Sequence, residues 1–545
     1  MSLVLFLRSR SSYFFAVGLT LYFFLHLISR VWVSPNLELD EAEQVLLAQS
    51  LSLGEGLQPP LYTWLQWIVF QLTGGPSVFG LALFKAVLLW LTYWCVYKAS
   101  SLVLAKNQAV AAALGLALFP QILWESQRDL THTVLLVACV AALWWLAIHL
   151  LAQLCSSANT KSSRKTLRLN SLALIAGCLL AAGMLSKYSF VIVGLTMGLA
   201  LAWTLTSERL LAARDLFRFI ALAFFTAAAL FAPHGLWLLE NMGSVQASVA
   251  RKLGAQGSGA WLESLFQSFQ SLAQAALGFV VLWLVVGLGV YFYSHFLKGA
   301  NTPALKMEVG AQQEPHDFAK TQATVMLFLK RYFTLLGFTF LLLILLADAS
   351  QFKDRWMQPF LFLLPLTSLL ALRNAPALSF RLSTSYHWLA VLLMALTLVV
   401  MPLRTVLSPS LGSFSRLNIP HDQLAKTLKN DFPDQQLWVA EHRLLAGNLA
   451  LYSKAYNWRV YETQQARALA NDLPWSQMIY VEKVHLKDPL KEPLEAPSNA
   501  PLVSQPYGAR LYRFPQGVEF RVYKAQTPCA GFESCFPFLK HGQTP

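Results

Sequence analysis

The stretch Leu37-Glu38-Leu39-Asp40-Glu41-Ala42-Glu43 packs four carboxylates into six positions with no basic residue beside them. Repulsion among such closely spaced acids favours a bound cation, a proton-accepting carboxylate or a cationic partner. A structural role competes with these. Asp40 followed three residues later by Glu43 is a capping arrangement for a helix that starts there. Capping uses one carboxylate, so the others need a further reason. Four more polar groups stand out: Arg128-Asp129 with His132; Lys187-Tyr188; His234 after Pro233; and Lys353-Asp354-Arg355-Trp356. Singly, such a residue is more often a snorkelling group at a helix end than a catalyst, with Arg355 beside Trp356 as an interfacial anchor. Together they set acids against two or three cations, a combination suited to a phosphate-containing substrate approached by a carboxylate base. Lys85 lies inside an apolar run and must pair with a carbonyl or an acid, or face the interior of a bundle.

The elements that carry these residues follow from composition. Of 545 residues, 56% are hydrophobic and 13% charged, with 36 Phe and 17 Trp, and the mean hydropathy is +0.47. Charged residues make up about a quarter of an average soluble domain. A soluble multidomain enzyme, a disordered chain, a collagen and a disulfide-rich scaffold are therefore excluded, and the fold class expected is an α-helical polytopic membrane protein. About eleven apolar runs reach the length a bilayer requires: 13–33, 76–97, 109–124, 131–151, 171–186, 190–206, 217–239, 272–296, 332–346, 356–372 and 386–401. The first is too long for a signal peptide and has no small-residue cleavage site. The run 59–72 is short, begins at a Pro-Pro pair and reads as an interfacial helix carrying Tyr62, Trp64 and Trp67.

With a cytoplasmic N-terminus, about 18 basic residues fall in inside loops against about 6 outside, which satisfies the positive-inside rule. The net charge of +14 is thus an orientation signal. No basic helix, RNA-binding signature or zinc-finger spacing points to nucleic acid. On this topology the acidic stretch, Asp129, Lys187-Tyr188, His234 and Arg355 all lie on the outer face.

An odd number of spans also places the C-terminal part outside. Charges and turn-formers run through it, with alternating stretches at 437–440, 478–481 and 520–523 and helical patterns at 421–429 and 443–451. These predict a small soluble α/β domain whose Pro-rich segment 489–506 is a loop. The expected organisation is a transmembrane domain over 1–404, including an outer-face loop and juxtamembrane helices at 34–75, and a soluble domain over 405–545. Cys529 and Cys535 fall where a disulfide is chemically allowed, although spacing alone does not settle whether they pair. Cys95, Cys139, Cys155 and Cys178 read as packing residues.

These motifs, in this order, resemble the multispan C-type (GT-C) glycosyltransferases that use polyprenyl-phosphate sugars. The nearest resemblance is to the bacterial branch of the protein O-mannosyltransferase family that includes the lipid A aminoarabinose transferase. Asp40-Glu41 resembles that family's acidic pair in the first outer loop, and Gln58-Pro59-Pro60-Leu61-Tyr62 its Pro-Pro-Leu motif. Arg128-Asp129 resembles its second acidic position. Ser186-Lys187-Tyr188, Pro233-His234-Gly235-Leu236-Trp237, and Phe352-Lys353-Asp354-Arg355-Trp356 with Pro359 are similar to its further outer-face motifs. The similarity runs from Met1 to about Arg404.

The resemblance implies Asp40 as general base in an inverting transfer, with Glu41 and Asp129 as further catalytic acids. Lys187, Tyr188, His234 and Arg355 would bind the donor phosphate, and Tyr62, Trp64 and Trp67 would line the acceptor or lipid entrance. The partners implied are a polyprenyl-phosphate sugar, an outer-face glycolipid or glycan acceptor, and the lipid bilayer of an inner membrane, with the C-terminal domain in the periplasm. No cofactor is required, a divalent metal near the acids stays open, and His and Cys spacing gives no dedicated zinc site. Gln58 stands where the aminoarabinose enzymes carry a basic residue, which puts an aminosugar donor and a lipid A phosphate acceptor in question. Three alternatives remain at this level: a transporter or flippase, a protein O-glycosyltransferase, and an oligosaccharide ligase using a diphosphate-linked glycan. A transporter would show internal repeats and mid-depth charges, and neither is seen in the sequence.

Overall fold

The computed structural model describes residues 11–54, 58–156, 162–243, 245–247, 261–296, 316–347, 349–411, 415–468, 478–484, 507–509 and 518–524. Cys529, Cys535 and the Pro-rich segment 489–506 lie outside the described residues. The chain forms two compact units, one of residues 1–24, 52–62 and 85–397, the other of 25–51, 63–84 and 398–545. Among the described residues, nine helices are long and apolar enough to cross a membrane, and eleven spans result if each of two bent helix pairs counts as one.

In the first unit the helix His132–Ser156 is the most enclosed span. Its Trp144 is fully buried between Phe328 and Tyr332 of the helix His316–Ala347, with ring centroids 5.0 and 4.8 Å away. Ser162–Ser186 packs along Ala213–Glu240, where Gly177 lets the backbones approach. A Cβ there would stand 2.6 Å from the Ala223 carbonyl oxygen and from Thr226 Cβ. Small residues serve this purpose where helices pack in lipid.

Two runs expected as continuous spans, 109–124 and 356–372, are broken. Lys106–Leu118 and Gln121–Arg128 meet at 78°, and Asp354–Leu361 and Leu364–Asn374 at 48°. Proline is the reason. Pro120 pushes Phe119 out of the helical region, to φ −99° and ψ 109°. Pro359 and Pro365 each sit in the first turn of a new helical segment. At the first break two side chains also bond to the backbone. Gln358 Nε2 donates to the Gln121 carbonyl at 3.2 Å, and Ser126 Oγ to the same carbonyl at 2.9 Å.

The second unit holds a five-stranded sheet in the order β2-β1-β3-β5-β4, with β1 Leu437–Ala440, β2 Arg459–Glu462, β3 Met478–Val484, β4 Tyr507–Ala509 and β5 Val518–Lys524. β1 runs parallel to β2 and β3, and β5 antiparallel to β3 and β4. The stretches 437–440, 478–481 and 520–523 thus occupy β1, β3 and β5 as expected. The core under the sheet joins Trp438, Val460, Ile479, Val481 and Val522 to Leu424, Leu428, Leu445 and Leu449.

That core also contains Leu37, Ala42, Val45 and Leu46 from the first outer segment. Ala42, Val45 and Leu46 have the i, i+3, i+4 spacing of one buried helix stripe. The stripe lies on the helix Arg443–Ala450, and Gly447 makes the approach fit. A Cβ on Gly447 would overlap the Ala42 backbone itself. Hydrogen bonds tie the same segment down: Asn448 Oδ1 accepts from Leu37 N at 3.0 Å, and Gln49 exchanges two bonds with the Val460 backbone, at 2.7 and 3.1 Å. Lys454 Nζ donates to the Gly74 carbonyl at 2.6 Å. Residues 52–62 belong to the other unit, whereas residues 25–51 and 63–84, grouped with the spans in the sequence reading, belong to the same compact unit as the sheet. Gly447→Ala is expected to destabilise this unit by about 1–3 kcal/mol, because backbone cannot move aside as a side-chain tip can. Thermal unfolding of the two proteins in detergent measures the difference.

Candidate active site

The helix Leu39–Leu47 carries the acidic stretch, and its cap differs from the expected one. The capping box lies two residues earlier than Asp40–Glu43: Glu38 is the N-cap and Glu41 the third helical residue, with Glu41 Oε2 accepting from Glu38 N at 3.1 Å. Asp40 sits in the first turn, half-buried.

The positive charges that four neighbouring acids call for come from distant parts of the chain. Arg30 Nη2 lies 2.6 Å from Glu41 Oε2, with both side chains buried. Arg30 also donates to the Ser34 and Asn36 carbonyls at 3.1 and 2.8 Å. Arg416 stands 3.6 Å from Glu38, and Arg443 lies 2.5 Å from Glu43 and 3.3 Å from Glu462. Burial lowers the pKa of Arg443, but Glu43, Glu462 and Asp40 outweigh burial and leave it raised. The three acids around Asp40 are thus each bound to an arginine, and Glu41 is fully enclosed. The cationic partner inferred from the sequence is supplied by the protein's own Arg30, Arg416 and Arg443. None of these arginines carries a sequence signal, since two of them lie some 400 positions from the acids they meet.

The other unit holds Asp129, Lys187, Tyr188, His234 and Arg355. Asp129 is 8% exposed and closes the short turn Ser126–Arg128, its amide donating to the Glu125 carbonyl at 3.0 Å. Lys85, buried in its span, reaches the Arg128 carbonyl at 3.4 Å, so a carbonyl is among its partners as the sequence required. Lys187 Nζ donates to Thr133 Oγ1 at 2.7 Å. His234 is fully buried. Its Nδ1 lies 2.7 Å from the Leu53 carbonyl, which can only accept, so Nδ1 carries the proton and Nε2 accepts from the Tyr188 hydroxyl at 3.3 Å. Burial raises the pKa of that hydroxyl, keeping it a donor at neutral pH. Trp237 stacks on His234 at 5.6 Å and covers Gly54, where any Cβ would overlap the indole. Tyr188, His234 and Trp237 therefore form one aromatic stack that holds residues 53–54.

Arg355 is exposed, while Lys353 lies over the Trp356 ring at 5.8 Å. Between them, Asp354 bridges inward. Its Oδ2 accepts from Gln121 Nε2 at 2.7 Å, and its Oδ1 accepts from the Arg355 amide at 2.7 Å. Ser126 Oγ also lies 3.1 Å from Gln358 Oε1. The two broken spans are thus pinned together by Gln121, Ser126, Asp354 and Gln358, one bringing Asp129 and the other Arg355 to this region. Of these four, Asp354 is part of a motif noticed in the sequence. The glutamines carry no motif there, and only the neighbouring prolines hint that buried polar partners are needed.

Tyr62 is fully buried, with its ring 5.4 Å from that of His132. Trp64 and Trp67 are half-buried, and Trp67 packs against the hydrophobic core under the sheet. Cys95, Cys139 and Cys155 are buried free thiols, while Cys178 is a free thiol at the exposed surface of its helix. Among the described residues, no three His, Cys, Asp or Glu side chains gather to hold a metal ion.

The chain is similar to several known proteins. Residues 57–237 match the dolichyl-phosphate-mannose-protein mannosyltransferase family. The lipopolysaccharide core galacturonosyltransferase RgtB of Rhizobium johnstonii is 31% identical over 81% of this chain and 81% of its own. Lipopolysaccharide core galacturonosyltransferase RgtA of the same organism is 28% identical over 79% of each. The crystal structure of ArnT from Cupriavidus metallidurans bound to undecaprenyl phosphate superposes with a TM-score of 0.50 at 11% identity. It covers 94% of this chain and 98% of that one, a likeness of fold. Spans, sheet and sequence relatives agree: this chain belongs to the GT-C glycosyltransferases, in the family of the two rhizobial enzymes.

Proposed function

We propose that this glycosyltransferase moves one sugar, with inversion, from a polyprenyl phosphate to an acceptor on lipopolysaccharide or a related glycolipid at the outer face of the inner membrane. The observation that carries the reading is the relationship to RgtA and RgtB, enzymes named for transfer to a lipopolysaccharide core, over about four-fifths of the chain. A uronic acid is the donor sugar that this relationship supports best. Polyprenyl phosphate, the lipid bound in the ArnT structure, matches the cations that the outer-face motifs bring.

In this reaction the acceptor hydroxyl oxygen attacks the anomeric carbon as the bond from that carbon to the phosphate oxygen breaks. The electron pair leaves with the phosphate, and Asp40 takes the hydroxyl proton and returns it to water. A phosphate leaves as a stabilised anion, so no strong acid is needed opposite the base. Lys187 and Arg355 neutralise the charge that grows on it. Asp129 orients the sugar. Tyr188 and His234 act as positioning residues, because their polar atoms are engaged with each other and with the Leu53 carbonyl. Glu41, enclosed with Arg30, positions Asp40. Trp64 lines the lipid entrance, and Tyr62 and Trp67 hold the juxtamembrane helix.

The family matched by residues 57–237 is named for transfer to protein, which keeps a protein acceptor as the second reading. Mass spectrometry of envelope glycans, membrane proteins and polyprenyl phosphates, in cells with and without this chain, distinguishes the two. Loss of one sugar from a lipopolysaccharide or glycolipid, with the charged polyprenyl carrier accumulating, is expected. The same sugar missing from a protein instead would select the second reading. An unchanged glycan profile with a solute displaced across the membrane would replace both with transport.

A further inference from the structure

At the far end of the helix Trp261–Phe296 from Asp354, a cavity of about 360 Å³ opens between residues 291–295 and residues 375–381. Gly278 of that helix adjoins Asp354, and His295 follows it by 17 positions, about 25 Å along the axis. The cavity therefore faces the membrane surface opposite to the one where Asp129 and Arg355 lie. Arg381 and His295 line it together with Ser294 and Tyr291, and residues 375–378 add an apolar wall. Among the described residues, no carboxylate lines it.

The guanidinium is held in place. Arg381 Nη1 donates to Ser294 Oγ at 3.1 Å, and the group lies over the Tyr293 ring, 5.3 Å from its centre. Neither partner neutralises its charge, and the remaining N–H groups keep their fork geometry. Arg373 is exposed one turn before the wall. Tyr291, Phe292, Tyr293 and Phe296 are exposed around the mouth, the belt of amphipathic and apolar rings found where a span meets the headgroup layer. An oriented arginine at headgroup depth, beside an apolar wall and with no counter-ion among the described residues, has the form of a lipid site: the fork takes a phosphodiester and the wall takes the glycerol and first methylenes.

We infer that this cavity binds the phosphodiester headgroup of an anionic phospholipid in the leaflet opposite the transfer chemistry. The inference rests on the membrane fold alone and stands apart from the donor and acceptor proposed above.

The test is native mass spectrometry of the full chain in detergent with phosphatidylglycerol, phosphatidylcholine or inorganic phosphate. Retention of phosphatidylglycerol over phosphatidylcholine is expected, and Arg381→Ala should weaken it about five-fold, the effect of one basic group at a charged surface. Ala377→Trp, an exposed position that fills the cavity and leaves Arg381 and its partners intact, should weaken it similarly. Equal retention of both lipids, or unchanged retention in both variants, overturns the proposal. Displacement of phosphatidylglycerol by equimolar inorganic phosphate also overturns it, showing a free-anion site instead.

Discussion

Asp40→Asn is expected to lower turnover by about 10²–10⁴, the contribution of a positioned general base, while the protein keeps its fold and membrane insertion. Asparagine has the same shape and cannot take the proton. The fold should survive because the cap of the helix Leu39–Leu47 is made by Glu38 and Glu41. The ion pairs of its neighbours run to Arg30, Arg416 and Arg443. The loss should appear in kcat at unchanged thermal midpoint, since the change removes a group needed in the transition state and no packing. Full turnover in the variant would remove Asp40 as base and transfer the role to Glu41 or Asp129. A lowered midpoint accompanying the lost turnover would make Asp40 a structural residue.

Glu41→Ala should behave in the opposite way, with its main effect on stability. The substitution strands Arg30 in a buried position where its charge has lost its carboxylate, and breaking such a pair from one side costs about 3–5 kcal/mol. It also removes the acceptor for the Glu38 amide and loosens the cap. The double variant Arg30→Met, Glu41→Leu removes both charges at similar volume and should recover most of the loss, because the desolvation penalty disappears along with the attraction. Thermal unfolding of the two variants in detergent measures this. A Glu41→Ala midpoint equal to that of the parent protein would show that the pair contributes nothing. A double variant no better than the single would place the loss in the cap. Turnover of the double variant then reports how far this pair positions Asp40.

The contrast between two adjacent acids shows where sequence reasoning stops. Asp40 and Glu41 are chemically similar and belong to one motif, and position alone cannot separate a base from a buried structural charge. What differs in the structure is the 2.6 Å contact of Glu41 to Arg30, decided by how the chain returns after leaving its first span. The cap illustrates the same limit. Asp40–Glu43 and Glu38–Glu41 are both acid pairs at capping spacing, and the helix start is chosen by packing of Ala42, Val45 and Leu46 on the helix Arg443–Ala450.

Hydropathy and local pattern were enough to determine the apolar helical runs, the short helix Leu61–Leu72 and the strands β1, β3 and β5. Each depends on the run of side chains within one segment: about twenty apolar residues for a span, alternation for a strand. Ordered motifs carried the family in the same way. Tertiary structure decided the rest. It broke two spans at Pro120 and at Pro359 and Pro365, then pinned the broken spans to each other through Gln121, Ser126, Asp354 and Gln358. It placed the acidic helix in the core beneath the sheet, and it chose which arginine each acid meets. These outcomes depend on groups brought together from across the chain, in places where a buried charge or carbonyl must find a partner, and a local pattern of residues contains no record of which partner that will be.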